Sequence, residues 1–321
     1  MNKLFVIGSG FTKGLVDTAP LNDDLLEMLS MAGDEAAAEI IGRYGGDIEG
    51  ALTRLDLDLA KEGPDSPLKT LRERIEISLA SFFRQYRIGA QQATLKDKEW
   101  IHPFLSSVLS PGDVVVSLNY DCLFEGLVDQ IGLWSPNDGY GFNNPVAPDS
   151  MDEEKSPITV LKIHGSENFR SDQALNDHNT RSITFGIDDS IFPRSGAGIN
   201  FCVSEWKSKP GIIAPSYVKV FPSLLIGLYL KALAVADSTN QLILIGCSVR
   251  REDQLLHALI WQFIRGNYPE NRGVITIVDP RAQEIFDQLH SIYEYPIYSI
   301  GRPIEKSIEN GWHELAGLLK K

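Results

Sequence analysis

The chain has 321 residues, 43% of them hydrophobic, enough to bury an ordinary core in one large domain with insertions or in two modest domains. Its formal charge of -13 argues against a sequence-independent grip on a nucleic-acid backbone, which needs clustered Lys and Arg. Cys122, Cys202 and Cys247 stand far apart, with neither zinc-ligand spacing nor a disulfide framework, so no metal site is expected and a reducing cytoplasm suits the chain.

The N-terminal stretch MNKLFVIGSG has too few apolar residues before its glycine turn for a secretory signal and reads as a first strand over 3–8. In VIGSGFTKG, Gly8 and Gly10 follow that strand, with Phe11 and Thr12 after them. Such glycines allow close backbone approach to a pyrophosphate, and a helix start beyond them favours negative charge. Lys13 occupies the third position of a Gly-x-Gly-x-x-Gly pattern, so a tight turn is an equally simple reading.

Residues 22–110 are rich in helix formers and breakers. Leu68, Leu71, Ile75, Leu79 and Phe82 recur at steps of three and four, marking one face of an amphipathic helix. This crossover is too long for one helix and predicts a helical insertion or small domain packed over a sheet.

The apolar run at 113–118 delivers Asn119, Tyr120 and Asp121 to its carboxyl end, where open α/β sheets bind ligands. Asp121 also reads as an N-cap for the helix CLFEGLVDQI, which leaves Asn119 unexplained. Residues 134–215 are crowded with Gly, Pro, Asn and Asp and read as a loop-rich insertion. Inside that span, ITVLKI at 158–163 forms a third strand and breaks at His164 and Gly165. His164 is either a satisfied strand-end residue or a functional imidazole, and Gly165 leaves room beside it.

FPSLLIGLYLKALAVADS, interrupted by Lys231, is too short to cross a bilayer and reads as a buried helix. LILIG at 242–246 leads into Gly246, Cys247 and Ser248, small residues that leave space for a ribose or phosphate. Asp253 is placed to cap the next helix, and His257 falls on that helix's apolar face. GVITIVD at 273–279 ends in Asp279, a candidate acceptor for paired ribose hydroxyls. The remainder, ending ENGWHELAGLLKK, reads as one closing helix that leaves no room for a separate sensor domain.

Five apolar runs without polar alternation predict an α/β fold with a Rossmann-like, mostly parallel sheet. Each ends in a small or polar cluster, and together these clusters define one nucleotide site at one sheet edge.

The ordered set GSGFT, SLNYD, KIHGS, GIIAPSYVK, IGCS and VDP, spread over residues 6–280, resembles the sirtuin-like domain of bacterial antiphage defence proteins, distant relatives of NAD-dependent sirtuin deacylases. The resemblance implies a single sirtuin-like NAD-binding domain over 1–321 with a helical second module, and cleavage of NAD to nicotinamide and ADP-ribose, with NAD as substrate rather than resident cofactor. It makes Asn119 and His164 the catalytic pair, holding and activating water or a ribose hydroxyl. It assigns Gly8, Gly10 and Phe11 to the pyrophosphate and nicotinamide side, Gly246 and Ser248 to the other phosphate and ribose, and Asp279 to the adenosine ribose, with Thr12 and Asp121 also among the NAD-binding residues.

The chain departs from true sirtuins in lacking four zinc cysteines, which favours hydrolysis over peptide deacylation. It also lacks their Pro-Asp-Phe-Arg loop, near which Asn22 or Asp23 stands instead. A free NAD hydrolase would poison its own cell, so abortive infection is expected to be controlled by homo-oligomerisation or a partner: an Argonaute-like protein, an ATPase or a nucleotide-processing subunit. A deacylase, an ADP-ribosyltransferase and a non-catalytic nucleotide-binding subunit are the alternatives.

Overall fold

The computed structural model describes residues 3–63, 65–96, 98–142, 155–171, 185–187, 191–192, 209–218, 223–250, 253–267, 273–293 and 297–300. Six strands form a parallel sheet: β1 (Leu4–Ile7), β2 (Val114–Ser117), β3 (Thr159–Lys162), β7 (Gln241–Ile245), β8 (Val274–Val278) and β9 (Ile297–Ile300). Their order is β3-β2-β1-β7-β8-β9, with Leu4 opposite both Val114 and Leu242. Every residue of β1 is buried, which explains why it reads as an unbroken apolar run. The chain moves outward from β1 through β2 to β3, then returns past β1 to build β7, β8 and β9. That reversal puts the topological switch between β1 and β7, where Rossmann-like sheets bind ligands beyond their carboxyl ends.

All five expected strands are present, and β9 is a sixth. It lies in the stretch read as one closing helix, which instead contains α12 (Ala282–Ile292) followed by β9. The short apolar run of β9 finds a parallel partner in β8, Ile275 opposite Ile297. The ENGWHELAGLLKK segment lies outside the described residues.

Between β1 and β2 the chain forms α1 (Ser9–Leu15), a 3-10 turn (Asn22–Asp24), α2 (Leu25–Met31), α3 (Glu35–Tyr44), α4 (Ile48–Glu62), α5 (Pro67–Phe83), α6 (Ile88–Leu95) and α7 (Ile101–Val108). Asp34, Asp47 and Ser66 cap α3, α4 and α5 by accepting from the backbone N–H groups of Ala37, Gly50 and Leu68. Leu68, Leu71, Ile75 and Leu79 are buried as expected, but Phe83 is buried where Phe82 is only half-buried. The α5 helix packs against α3, α4 and a second sheet.

Within α5, the buried Arg72 guanidinium meets Asp56 at 2.6 Å and Glu76 at 2.9 Å. Burial raises the Glu76 carboxyl more than Arg72 lowers it, to about 7. An acid whose folded pKa lies above its unfolded value adds stability below the unfolded value and loses it as pH rises through the folded one. Glu76→Gln should therefore flatten the fall in stability between about pH 4.5 and 7, read as urea midpoints across that window.

The second sheet is antiparallel and was not legible as strands: β4 (Gly165–Ser171) lies between β5 (Phe185–Ile187) and β6 (Lys209–Ile212). Gly165 has φ +78, and a Cβ there would come within 2.0 Å of the Gly211 carbonyl oxygen on β6. The crossing strand therefore requires this glycine on its own account, apart from any room it leaves beside His164.

Helices α8 (Leu123–Gln130) and α9 (Pro136–Gly139) connect β2 to β3, while α10 (Ser223–Ser238) and α11 (Gln254–Asn267) flank β7. The α10 helix is buried on one side through Leu225, Leu228, Ala232 and Ala236, but Ile226 and Leu230 are exposed on the other. It thus covers β2 and β3 with one apolar side and leaves apolar residues exposed on the other, where its composition predicts a fully buried helix. Among the described residues no helix is long and apolar enough to cross a membrane.

Candidate functional site

At the switch point the backbone ends of β1 and β7 cross closely. Gly8 N–H donates to Ile245 O and Gly10 N–H to Gly246 O, both at 3.0 Å. A Cβ on Gly10 would lie 2.8 Å from the Gly246 Cα, and one on Gly246, whose φ is +61, would lie 2.3 Å from the Phe11 nitrogen. This crossing accounts for the small residues in both loops. Gly246→Ala should cost about 2–4 kcal/mol, measured as a lower urea midpoint, because strain and backbone collision coincide.

Beyond the crossing lies a cavity of about 270 Å³, near the lower edge of the roughly 300–1,000 Å³ typical of small-molecule pockets. Its floor comes from four strand ends: Gly8 and Thr12 after β1, Asn119 to Asp121 after β2, His164 after β3, and Gly246 to Arg250 after β7. The helical segment contributes Asn22, Leu25, Glu49, Phe83 and Tyr86, and the turn after β6 adds Pro215 to Tyr217. The motif GIIAPSYVK, which had no assigned role, thus supplies one wall.

His164 sits in the turn joining the two sheets, its carbonyl accepting from Ile213 N–H at 2.8 Å and its residue only 7% exposed. Tyr120 donates its hydroxyl to Ile213 O at 2.6 Å, tying the β6 turn to β2, and burial raises its phenol. Asn119 is also 7% exposed, and its Nδ2 reaches Gly8 O and Thr12 Oγ1, each at 3.1 Å. Asp121 stands one residue before Cys122, the N-cap of α8, and was expected at the cap itself; it accepts from Leu123 N–H at the start of that helix and from the Thr12 hydroxyl beside the cavity. Burial raises its carboxyl, against the lowering influence of Lys162 and those two hydrogen bonds.

Not every candidate reaches the cavity. Phe11 is in the core, edge-on to Phe124 with ring centroids 5.5 Å apart. Gly10 lies behind the lining, against Gly246. Asp279 accepts from Arg281 N–H at 2.8 Å after β8 and does not line the cavity. Asp23 is largely exposed and pairs with Arg250 at 2.6 Å, whereas Asn22 does line the wall.

Sequence reasoning missed Arg250. Burial works against its charge, but Asp23 and Glu49 outweigh that and raise its pKa further. It is followed through the β7 loop by Asp253, which caps α11 as expected by accepting from Leu256 N–H. Immediately before Arg250, Val249 holds φ +45, costly by about 1–3 kcal/mol for a β-branched residue and maintained by its burial. Its carbonyl accepts from Gln288 Nε2 at 2.7 Å.

Cys247 lines the cavity, yet burial pushes its thiol well up and its Sγ donates to backbone carbonyls, so it is a poor nucleophile. His257 is half-buried and bonds Arg250 O and the Tyr293 hydroxyl, a bridging position between α11 and the end of α12. Cys202 lies outside the described residues. Among the described residues no group of three or more His, Cys, Asp or Glu side chains is placed to hold a metal ion.

No protein family and no curated protein matches the chain. Among solved structures it is similar to one concerned with the structural basis of sirtuin substrate affinity, at 13% identity and a TM-score of 0.40, covering 98% of this chain and 93% of that one. It is also similar to a mutant Sir2 homologue in complex with 2'-O-acetyl ADP ribose, at 12% identity and a TM-score of 0.41, covering 99% and 94%.

Proposed function

We propose that this chain is an NAD glycohydrolase, cleaving NAD to nicotinamide and ADP-ribose as the toxic effector of a bacterial antiphage defence system. The observation that carries the reading is the convergence of Asn119 and His164, from adjacent strands, on one cavity at the β1/β7 switch point. Water attacks the ribose C1′, the C–N bond breaks with its electron pair going to nicotinamide, and the water's proton passes to a base. His164 is that base, and Asn119 orients the water or a ribose hydroxyl. Glu49, Asp121 and Asp253 in the lining favour the positive charge that develops on the ribose, and Arg250, which also lines the cavity, favours the pyrophosphate.

Activity is held in check until oligomerisation or a sensor partner releases it, the partner being Argonaute-like, an ATPase or a nucleotide-processing subunit. The test is nicotinamide release by the purified chain, alone and with co-purified products of neighbouring genes. Free ADP-ribose supports hydrolysis, whereas an acceptor-linked product means a transferase or deacylase. Calorimetric binding without turnover under every condition means a nucleotide-sensing subunit. A monomer that is constantly active would overturn the regulated form of the reading.

A further inference from the structure

The hydrogen bonds beneath Asn119 have a direction, and that direction decides which edge of its amide faces the cavity. Leu123 N–H donates to Asp121 Oδ1 at 3.1 Å, and the Thr12 hydroxyl donates to Asp121 Oδ2 at 3.0 Å. A carboxylate only accepts, so Thr12 has spent its single proton and its oxygen is left to accept from Asn119 Nδ2 at 3.1 Å. The second proton of that amide goes to the Gly8 carbonyl at 3.1 Å, which also only accepts. Both side-chain donors of Asn119 are therefore consumed within the cavity floor. Its Oδ1 accepts from no described residue, while Asn119 itself lines the cavity. Lys162 Nζ fixes the far end of this chain by donating to the Asp121 carbonyl at 2.5 Å.

We propose that Thr12 and Asp121 are positioning residues that lock the Asn119 amide with Oδ1 turned into the cavity, so that Asn119 acts there as an acceptor. They were expected to contact the ligand directly, and the geometry gives them this indirect task as well. Resting on the hydrolase reading, the acceptor edge takes a hydrogen from the attacking water or from a ribose hydroxyl and leaves the proton transfer to His164. The Gly8 carbonyl demands the same orientation even when the Asp121 carboxyl takes up a proton.

The test uses the side-chain NH₂ signals of Asn119 in ¹⁵N-edited spectra of the full chain, assigned by their loss in Asn119→Ala. Thr12→Val keeps the shape and removes the hydroxyl, so the amide protons should shift and exchange with solvent about tenfold faster. Thr12→Ser should restore them. Asp121→Asn is equally informative and nearly isosteric: Leu123 N–H claims the carbonyl oxygen of the new amide, its NH₂ then faces Thr12, and the Thr12 proton is turned against Asn119. The Asn119 signals should therefore move in that variant too.

In turnover, Thr12→Val should lower kcat about 10- to 100-fold with little change in KM, and should add nothing to Asn119→Ala. Unmoved amide signals in both folded variants would overturn the proposal. Signals that respond in a protein that never releases nicotinamide would instead support the orientation and overturn the hydrolase reading.

Discussion

His164→Ala is expected to lower nicotinamide release by about 10²- to 10⁴-fold, the range for removing a positioned general base. The fold should tolerate the change, because the junction between the two sheets is held by the His164 carbonyl accepting from Ile213 N–H, which alanine retains. Because His164 lines the cavity, the space left by its side chain is expected to open into it and admit water, which avoids the stability penalty of a closed void. Asn119→Ala should cost about 10²- to 10³-fold in kcat, comparable to loss of one preorganised polar group at a reacting centre. Because both residues serve one bond-breaking step, the double variant should fall well short of the product of the two losses. Binding of ADP-ribose, followed by calorimetry, should survive His164→Ala and thereby separate lost chemistry from a lost pocket. Undiminished release by either single variant would remove the catalytic assignment.

The parts of this fold that were legible are those where one physical requirement acts on consecutive residues. Parallel strands covered on both faces need mostly apolar residues without polar alternation, and β1, β2, β3, β7 and β8 announce themselves that way although Ser117, Lys162 and Thr276 are buried within them. Polar residues just past such strands must be satisfied by something, which is why Asn119 and His164 stood out. What stayed hidden depends on partners far away in the chain. The β4 strand carries Glu167, Asn168 and Arg170, all buried, and reads as a loop because its compensations are remote. Glu167 takes two hydrogen bonds from Arg87, at 2.6 and 2.7 Å, and Asn168 donates to the Tyr140 hydroxyl at 3.1 Å.

Side-chain direction was equally invisible from spacing alone. Thr12 and Phe11 are neighbours in α1, and successive helical residues point about 100° apart, so Thr12 reaches the cavity while Phe11 enters the core. The glycines bring the β1 loop against the backbone of the β7 loop, and no sequence pattern distinguishes that approach from the approach to a pyrophosphate for which they were read.

Lys162→Met should destabilise the protein by about 3–5 kcal/mol, the usual cost of removing one partner from a buried ion pair. Lys162 and Glu125 are both fully buried, with Nζ 2.8 Å from Glu125 Oε1. Methionine fills much of the space but leaves the Glu125 carboxyl without its cation. Burial already raises that carboxyl, and Lys162 is the chief influence holding it down. Without Lys162 the folded protein must either keep an unpaired charge or take up a proton that the unfolded chain releases. Its deficit should therefore grow as pH rises above the unfolded carboxyl range and shrink as pH falls toward it.

Lys162→Met combined with Glu125→Leu should recover most of the lost stability, since replacing both members of a buried pair is often neutral or favourable. Urea midpoints of the three proteins across pH would show this, and a single variant within about 1 kcal/mol of the parent would refute the argument. Recovery of stability should not bring recovery of function. The same ammonium donates to the Asp121 carbonyl, and Asp121 orders Thr12 and Asn119 above it. A stable double variant with slow nicotinamide release would mean that the buried pair is there to hold the Asn119 amide in place, at no net gain in folding free energy.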